Sequence, residues 1–531
     1  MAVFSCRKQE RVMTGQHVYI AAEFAVYLIA MLAVGVYFYR RTDNMADYFL
    51  GGRGLNKWVT SLSAEASDMS GWLMMGLPGA AYLGGLSAGW IALGLMAGTY
   101  VNWKFVARRL RQYTSVSMHI ITLSDYMEHR FRDSSKTLRV VSSVFIFIFF
   151  LIYTASGFVA SGRLFSSVFE MPYIAAVAIG AATIVFYTFL GGFNAVCWTD
   201  FFQGALMFFA MLTVPIVGVA ASGGPTATVS ALQAMDPNCF DPFHVKGGLS
   251  GLALLGAIAS SMAWGLGYFG QPHILVRFMA IRSADEIRGA RHIAMVWVIV
   301  SLIAAVVIGM IGHACMSAPL QGVGAERVYI LMVNELCHPL VGGVLLAAIL
   351  AAIMSTASSQ LLVTASAVSE DFYKTFLRKN ASDAELVWAS RLTVFAVAIA
   401  AFSLALEPDS SVLELVAYAW AGFGAAFGPM FILSLYWRRM TRTGALAGIV
   451  TGGLTVLFWK QFHGSVFTLY EMLPGFFFST LAIVLFSFAG KPPSDEITAE
   501  FDSLLEDSLP AANGGPGQAT QKTCPLNIQD A

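Results

Sequence analysis

Apolar runs of eighteen or more residues follow one another along almost the whole chain. A run of that length crosses a bilayer as a helix, since roughly 20 residues at about 1.5 Å rise each span the hydrocarbon layer. Within lipid every N–H and C=O must be paired inside the segment. The chain is therefore read as an all-α polytopic membrane protein whose spans form one continuous body. Composition agrees: 57% of the residues are hydrophobic and 12% charged, about half the charged share of a soluble domain.

Thirteen spans are expected, at roughly 17–39, 58–82, 87–107, 140–163, 172–192, 196–221, 249–275, 292–314, 338–372, 388–405, 411–437, 443–460 and 471–489. The first run is too long for a signal peptide core and is expected to stay as a helix. Lys and Arg concentrate in the connections after spans 1, 3, 7, 9, 11 and 13. There lie Arg40, Arg41, Arg53 and Lys57, then Lys104 through Arg139, then Arg277, Arg282, Arg288 and Arg291, then Lys374, Arg378 and Lys379, and later Arg438, Arg439 and Arg442. The opposite connections hold little beyond Arg163, Lys246, Arg327 and Lys460. By the positive-inside rule the basic connections face the cytoplasm, the N-terminus lies outside and the C-terminus inside, in the plasma or inner membrane. Residues 1–16 read as an extracytoplasmic extension, 17–489 as the membrane domain and 490–531 as a disordered cytoplasmic tail, polar and rich in Gly, Pro and Ala.

Net charge is zero, so nothing favours nucleic acid. The six cysteines show no CxxC or metal spacing, the nine histidines no HExxH or triad pattern, and no Walker motif is present. No enzymatic constellation emerges.

Two spans are interrupted by Gly and Pro. Span 2 carries "SGWLMMGLPGA" and span 7 "WGLGYFGQPH". They lie five positions apart in the order of spans, and an odd number per unit inverts the second unit relative to the first. Spans 2–6 and 7–11 then form two inverted five-helix repeats, an arrangement whose broken helices point to a transport site. Gly and Pro used only for close helix packing is the plainer reading of any single position; two clustered breaks at matching places outweigh it.

Beside the first break lies "SAEASDMSGW", with two acids in an apolar span. An ionised acid at the bilayer centre costs at least ~2.5–3.5 kcal/mol. Asp68 therefore needs a cation, a bound ion or freed backbone N–H groups, while Glu65 is expected to hold a proton or to pair with an unidentified group. In span 9, Ala352, Ser355, Thr356 and Ser359 fall at i, i+3, i+4 and i+7, a single small, hydroxyl-bearing stripe. Oxygen ligands suit a hard cation such as sodium, although membrane Ser and Thr more often only satisfy carbonyls of their own helix. Trp72, Trp264 and Tyr268 sit at the breaks, where aromatic faces attract cations and cover aliphatic rings.

The stretches "LSAEASDMSGWLMMGLPGA", "YTFLGGFNAVCWTD", "WGLGYFGQPHILVRFMA", "ILAAIMSTASSQLL" and "YAWAGFGAAFGP" resemble the sodium:solute symporter family, in its proline branch rather than its sugar branches, over about residues 17 to 490. The resemblance implies a LeuT-like 5+5 inverted-repeat core. It implies a sodium site of Ala66, Met69 and Ala352 carbonyls with Ser355 and Thr356 hydroxyls. It implies an L-proline site at or near Ser70, Gly71, Trp72, Tyr153, Trp264, Tyr268 and Pro272. Coupling is expected to involve Asp68, Arg53 and, in a supporting role, Asp200. Glu65 departs from the family, which usually has a small residue there. The expected function is sodium-coupled uptake of L-proline with no other cofactor. A symporter for another small amino or carboxylic acid, or a transport-dead membrane sensor, are the alternatives.

Overall fold

The computed structural model describes residues 2–39, 45–115, 120–190, 192–245, 248–316 and 319–506. Everything that follows concerns those residues. The N-terminal extension runs without a break into the first span as helix α1, Ala2–Tyr39. The first expected broken span becomes α2, Lys57–Asp68, and α3, Leu77–Gly84, joined by a π-helical turn at Trp72–Gly76. Asn56 starts α2 by accepting the N–H groups of Trp58 and Val59, which satisfies two donors of its first turn.

The chain continues through α4, Gly89–Val101, α5, Ala107–Ser115, the short α6, Leu123–Phe131, and α7, Thr137–Phe169. Next come α8, Tyr173–Leu190, and α9, Phe193–Ala221. The second broken span is α10, Gly251–Met262, a 3₁₀ segment at Ala263–Gly270, and α11, Pro272–Ala280. Proline starts α11, where its missing N–H costs nothing. Then follow α12, Ile287–Cys315, α13, Pro339–Ser366, α14, Asp383–Leu404, and α15, Val412–Tyr436. The last spans are α16, Arg442–Trp459, and α17, Met472–Ala489.

Eleven stretches are long and apolar enough to cross a membrane, where the sequence reading expected thirteen. The difference arises in two places. One continuous helical run, Trp72–Ser115, joins the second half of expected span 2 to span 3, and the apolar part of α8, Tyr173–Phe189, falls just short. Large apolar side chains such as Phe186, Phe209, Ile216 and Phe477 point outward, as a lipid-facing surface requires. The protein is a multi-pass membrane protein.

The tail departs from expectation at its start. Asp495–Glu506 forms helix α18. Its acids meet the arginines of one end of the bundle: Asp502 pairs with Arg438 at 2.8 Å and Glu500 with Arg132 at 2.5 Å. Phe501 lies under the guanidinium of Arg130. Residues 507–531 of the expected tail lie outside the described residues. This end, which also holds Arg108, Arg111 and Arg139, is called the basic end below. Two arginines read from sequence as loop charges are instead buried: Arg163, which pairs with Glu326, and Arg277.

Candidate functional site

The first break is built from carbonyls. A helix end leaves its last carbonyls without intrahelical donors, and at the end of α2 side chains take over. Met69 leaves helical geometry, with φ −84° and ψ 81°. The carbonyl of Ala66 accepts the Ser355 hydroxyl at 2.7 Å and the Thr356 hydroxyl at 3.3 Å. The carbonyl of Asp68 accepts the Trp72 indole at 3.0 Å and the Tyr153 hydroxyl at 3.2 Å. Ser355 also donates to the Ala352 carbonyl at 3.1 Å. Four of the five residues expected at the sodium site thus share one hydrogen-bonded cluster between α2 and α13. Met69 is the fully buried residue that ends α2 beside them; its N–H bonds to the Glu65 carbonyl. An all-oxygen set at the negative end of a helix dipole suits a hard monovalent cation.

Both acids are buried and both have partners that spacing did not reveal. Asp68 accepts the Tyr268 hydroxyl at 2.6 Å through Oδ2, and its Oδ1 has no partner among the described residues. Glu65 accepts the Trp103 indole at 2.9 Å.

The second break packs against the first. Gly265 faces the backbone of Gly94 and Gly98 so closely that an added Cβ would lie 2.2 Å from the Gly94 carbonyl oxygen. Glycine alone permits that approach. Trp264 lies with its ring centroid 6.0 Å from Trp72 and 5.8 Å from Tyr470. Tyr268 meets Trp420 edge-on at 5.0 Å. Trp420 donates its indole to the Trp264 carbonyl at 2.7 Å, and Gln271 donates to the carbonyls of Gly267 and Trp420. Of the residues expected around proline, Trp72, Tyr153 and Tyr268 converge on Asp68, and Trp264 adjoins them through Trp72. Ser70 and Gly71 are buried in the linker of the first break, where an added Cβ at Gly71 would lie 2.7 Å from Ala160. Pro272 instead lines a separate cavity reaching Ile121, Ser366 and Asp371. Trp420, Gln271 and Trp103 were not expected here; each comes from, or contacts, a distant helix.

Asp200 and Arg53 stand apart from this cluster. Asp200 is fully buried on α9 and pairs with Arg277 of α11 at 3.0 Å. Arg53 lies at the basic end and donates to the Ile120 carbonyl at 2.8 Å.

The family model described as "Sodium:solute symporter family" matches residues 48–452. The chain belongs to the sodium:solute symporter family. It is 49% identical over 483 residues to the sodium/proline symporter of Escherichia coli (strain K12), covering 90% of this chain and 94% of that one. It is likewise 49% identical over 479 residues to the high-affinity proline transporter PutP of Bacillus subtilis (strain 168), covering 90% and 99%. Among solved structures, a substrate-bound, outward-open sodium-coupled sialic acid symporter matches with TM-score 0.74 at 20% identity, over 90% of this chain and 99% of that one. That likeness shows the fold: an all-α membrane protein with the LeuT-like inverted-repeat core.

Proposed function

We propose that this symporter carries L-proline inward together with sodium by alternating access. The observation that carries the reading is the oxygen cluster joining the broken end of α2 to α13, flanked by aromatic rings from the second break. Relatives near half identity are named as a sodium/proline symporter and as a high-affinity proline transporter. Sodium is held by the carbonyls of Ala66, Met69 and Ala352 and the hydroxyls of Ser355 and Thr356. Proline is enclosed by Ser70, Gly71, Trp72, Tyr153, Trp264 and Tyr268, and Pro272 acts from outside that enclosure by starting α11 just after the second break. Asp68 couples the two, since its backbone neighbours serve the ion while its carboxylate reaches Tyr268. Asp200 supports α2 from the side, and Arg53 serves the inner mouth. The basic end faces the cytoplasm, which places the C-terminus inside and the N-terminus outside.

Coupling is thermodynamic: if sodium tightens proline binding, proline tightens sodium binding by the same factor. Neither ligand undergoes covalent chemistry. The test is uptake of labelled proline into proteoliposomes. Accumulation against a proline gradient when sodium is imposed outside is the expected result. Accumulation driven equally by a proton gradient without sodium, or equilibration without accumulation, overturns the reading.

A further inference from the structure

Helices α2 and α13 meet a second time, about one helical turn nearer the basic end. The link is Arg277. Its Nε donates to Ser63 Oγ at 3.0 Å, and a terminal nitrogen donates to Ser359 Oγ at 2.5 Å and Asp200 Oδ2 at 3.0 Å. The other terminal nitrogen donates to the His273 carbonyl. Ser63 itself donates to Asp200 Oδ2 at 2.7 Å. All of these side chains are buried. Ser63 lies three residues before Ala66, and Ser359 three after Thr356, so both share helix faces with the sodium cluster. One guanidinium from α11 therefore ties α2, α9 and α13 together beside the groups proposed as ion ligands.

We propose that Arg277 is a positioning residue for sodium: it fixes the spacing of α2 against α13, so that the Ala66 carbonyl and the Ser355 and Thr356 hydroxyls stand at a separation one ion can bridge. This rests on the sodium-coupled reading above. Breaking a buried charge pair is costly, yet keeping one adds little net stability compared with apolar packing, so its value lies in register. The planar fork of arginine can bond three helices at once, whereas a lysine ammonium is a single point on a flexible stem.

Three variants of the full chain in proteoliposomes test this: Arg277→Lys, Ser359→Ala, and the electroneutral double Asp200→Asn with Arg277→Gln. The readouts are the sodium half-saturation of proline uptake and the binding of labelled sodium to the purified protein. Arg277→Lys and the double variant should raise sodium half-saturation about tenfold, the factor that loss of one hydrogen bond to a charged group brings. Ser359→Ala, which keeps the ion pair but also removes one hydrogen bond to the charged guanidinium, should likewise raise it about tenfold. For Arg277→Lys and Ser359→Ala the maximal rate at saturating sodium should be retained. Normal sodium dependence in both Arg277→Lys and the double variant would mean that charge balance alone matters, and overturns the proposal. So does a loss of maximal rate at unchanged sodium half-saturation, the signature of a purely structural role. If Arg277→Lys does not reach the membrane, Ser359→Ala decides alone. Absence of sodium-driven uptake in the wild type would instead overturn the functional reading.

Discussion

The two broken helices occupy matching places in the two repeats, yet their exposed carbonyls are served by different chemistry. At the first break the donors include hydroxyls: Ser355 and Thr356 on Ala66, Tyr153 on Asp68. At the second they are an indole and an amide: Trp420 on Trp264, Gln271 on Gly267. A hydroxyl can rotate its hydrogen away and present a lone pair, while an indole N–H can only donate. The cluster at Ala66 can therefore exchange its internal hydrogen bonds for a cation without moving a heavy atom far. The second break cannot, and it offers ring faces instead. One break is suited to an ion and the other to an organic substrate, although both interrupt a membrane helix, the first at a π-helical turn and the second at a 3₁₀ segment.

The carboxylate between them gives the largest expected effect. Asp68→Asn keeps the shape and an oxygen able to accept from Tyr268, and removes only the charge. Sodium-coupled uptake should fall about a hundredfold or more, as when a buried charged group loses its role. Near-normal uptake at ordinary sodium would show that the first break attracts its ion through carbonyls and dipole alone. Next come the hydroxyls. Ser355→Ala or Thr356→Ala should raise sodium half-saturation about tenfold, and proline affinity should recover once sodium is saturating. Unchanged sodium dependence in either would place the ion elsewhere.

Much of this contrast was legible in the chain, because it is written in local periodicity. The stripe of Ser355, Thr356 and Ser359 follows the helical repeat, and Gly265, Gly267, Gly270 and Pro272 mark the second break directly. What escaped was contact between distant segments. Trp103 as the partner of Glu65 and Trp420 as the partner of Trp264 leave no trace in spacing, since tertiary neighbours are set by packing. Arg277 was misread for a different reason. Counting arginines as loop markers assumes that a charge leaves the membrane, but Arg277 stays inside because Asp200, 77 residues away, neutralises it. The neighbouring "ILVRFMA" hints at this, since apolar residues flank the arginine on both sides. Helix α18 was missed because composition outweighed pattern. Ile497, Phe501 and Leu505 recur at every fourth position, and Asp495 and Glu496 lie in its first turn, where acids favour a helix.

A smaller effect is expected on the aromatic side. Trp264→Ala should weaken proline binding by ~1–2 kcal/mol if its face covers the substrate's ammonium or ring. Saturating sodium should not restore it. The measurement is proline half-saturation at low and at saturating sodium. Full recovery at high sodium would assign Trp264 to the ion after all, and the contrast between the breaks would collapse.

The smallest effect should come from the other acid beside the first break. Glu65 lies within α2, three residues before Asp68, and its carboxyl group points to the Trp103 indole rather than to the cluster at Ala66. Its backbone carbonyl is already used by the Met69 N–H. Nothing in that geometry requires a charge, because an indole donor is satisfied by any oxygen acceptor. Glu65→Gln preserves such an oxygen at the same reach. Its sodium half-saturation and proline uptake should stay within about twofold of the wild type, as for a hydrogen bond retained between neutral partners. Glu65→Ala removes the acceptor and leaves a buried indole N–H unpaired, so it should reduce the amount of folded protein more than its sodium dependence. Uptake against sodium concentration for both variants, normalised to protein in the membrane, separates the two effects. A collapse of sodium coupling in Glu65→Gln equal to that in Asp68→Asn would make the two acids a single ion-binding unit, and the first break would then hold its cation by paired carboxylates rather than by freed carbonyls.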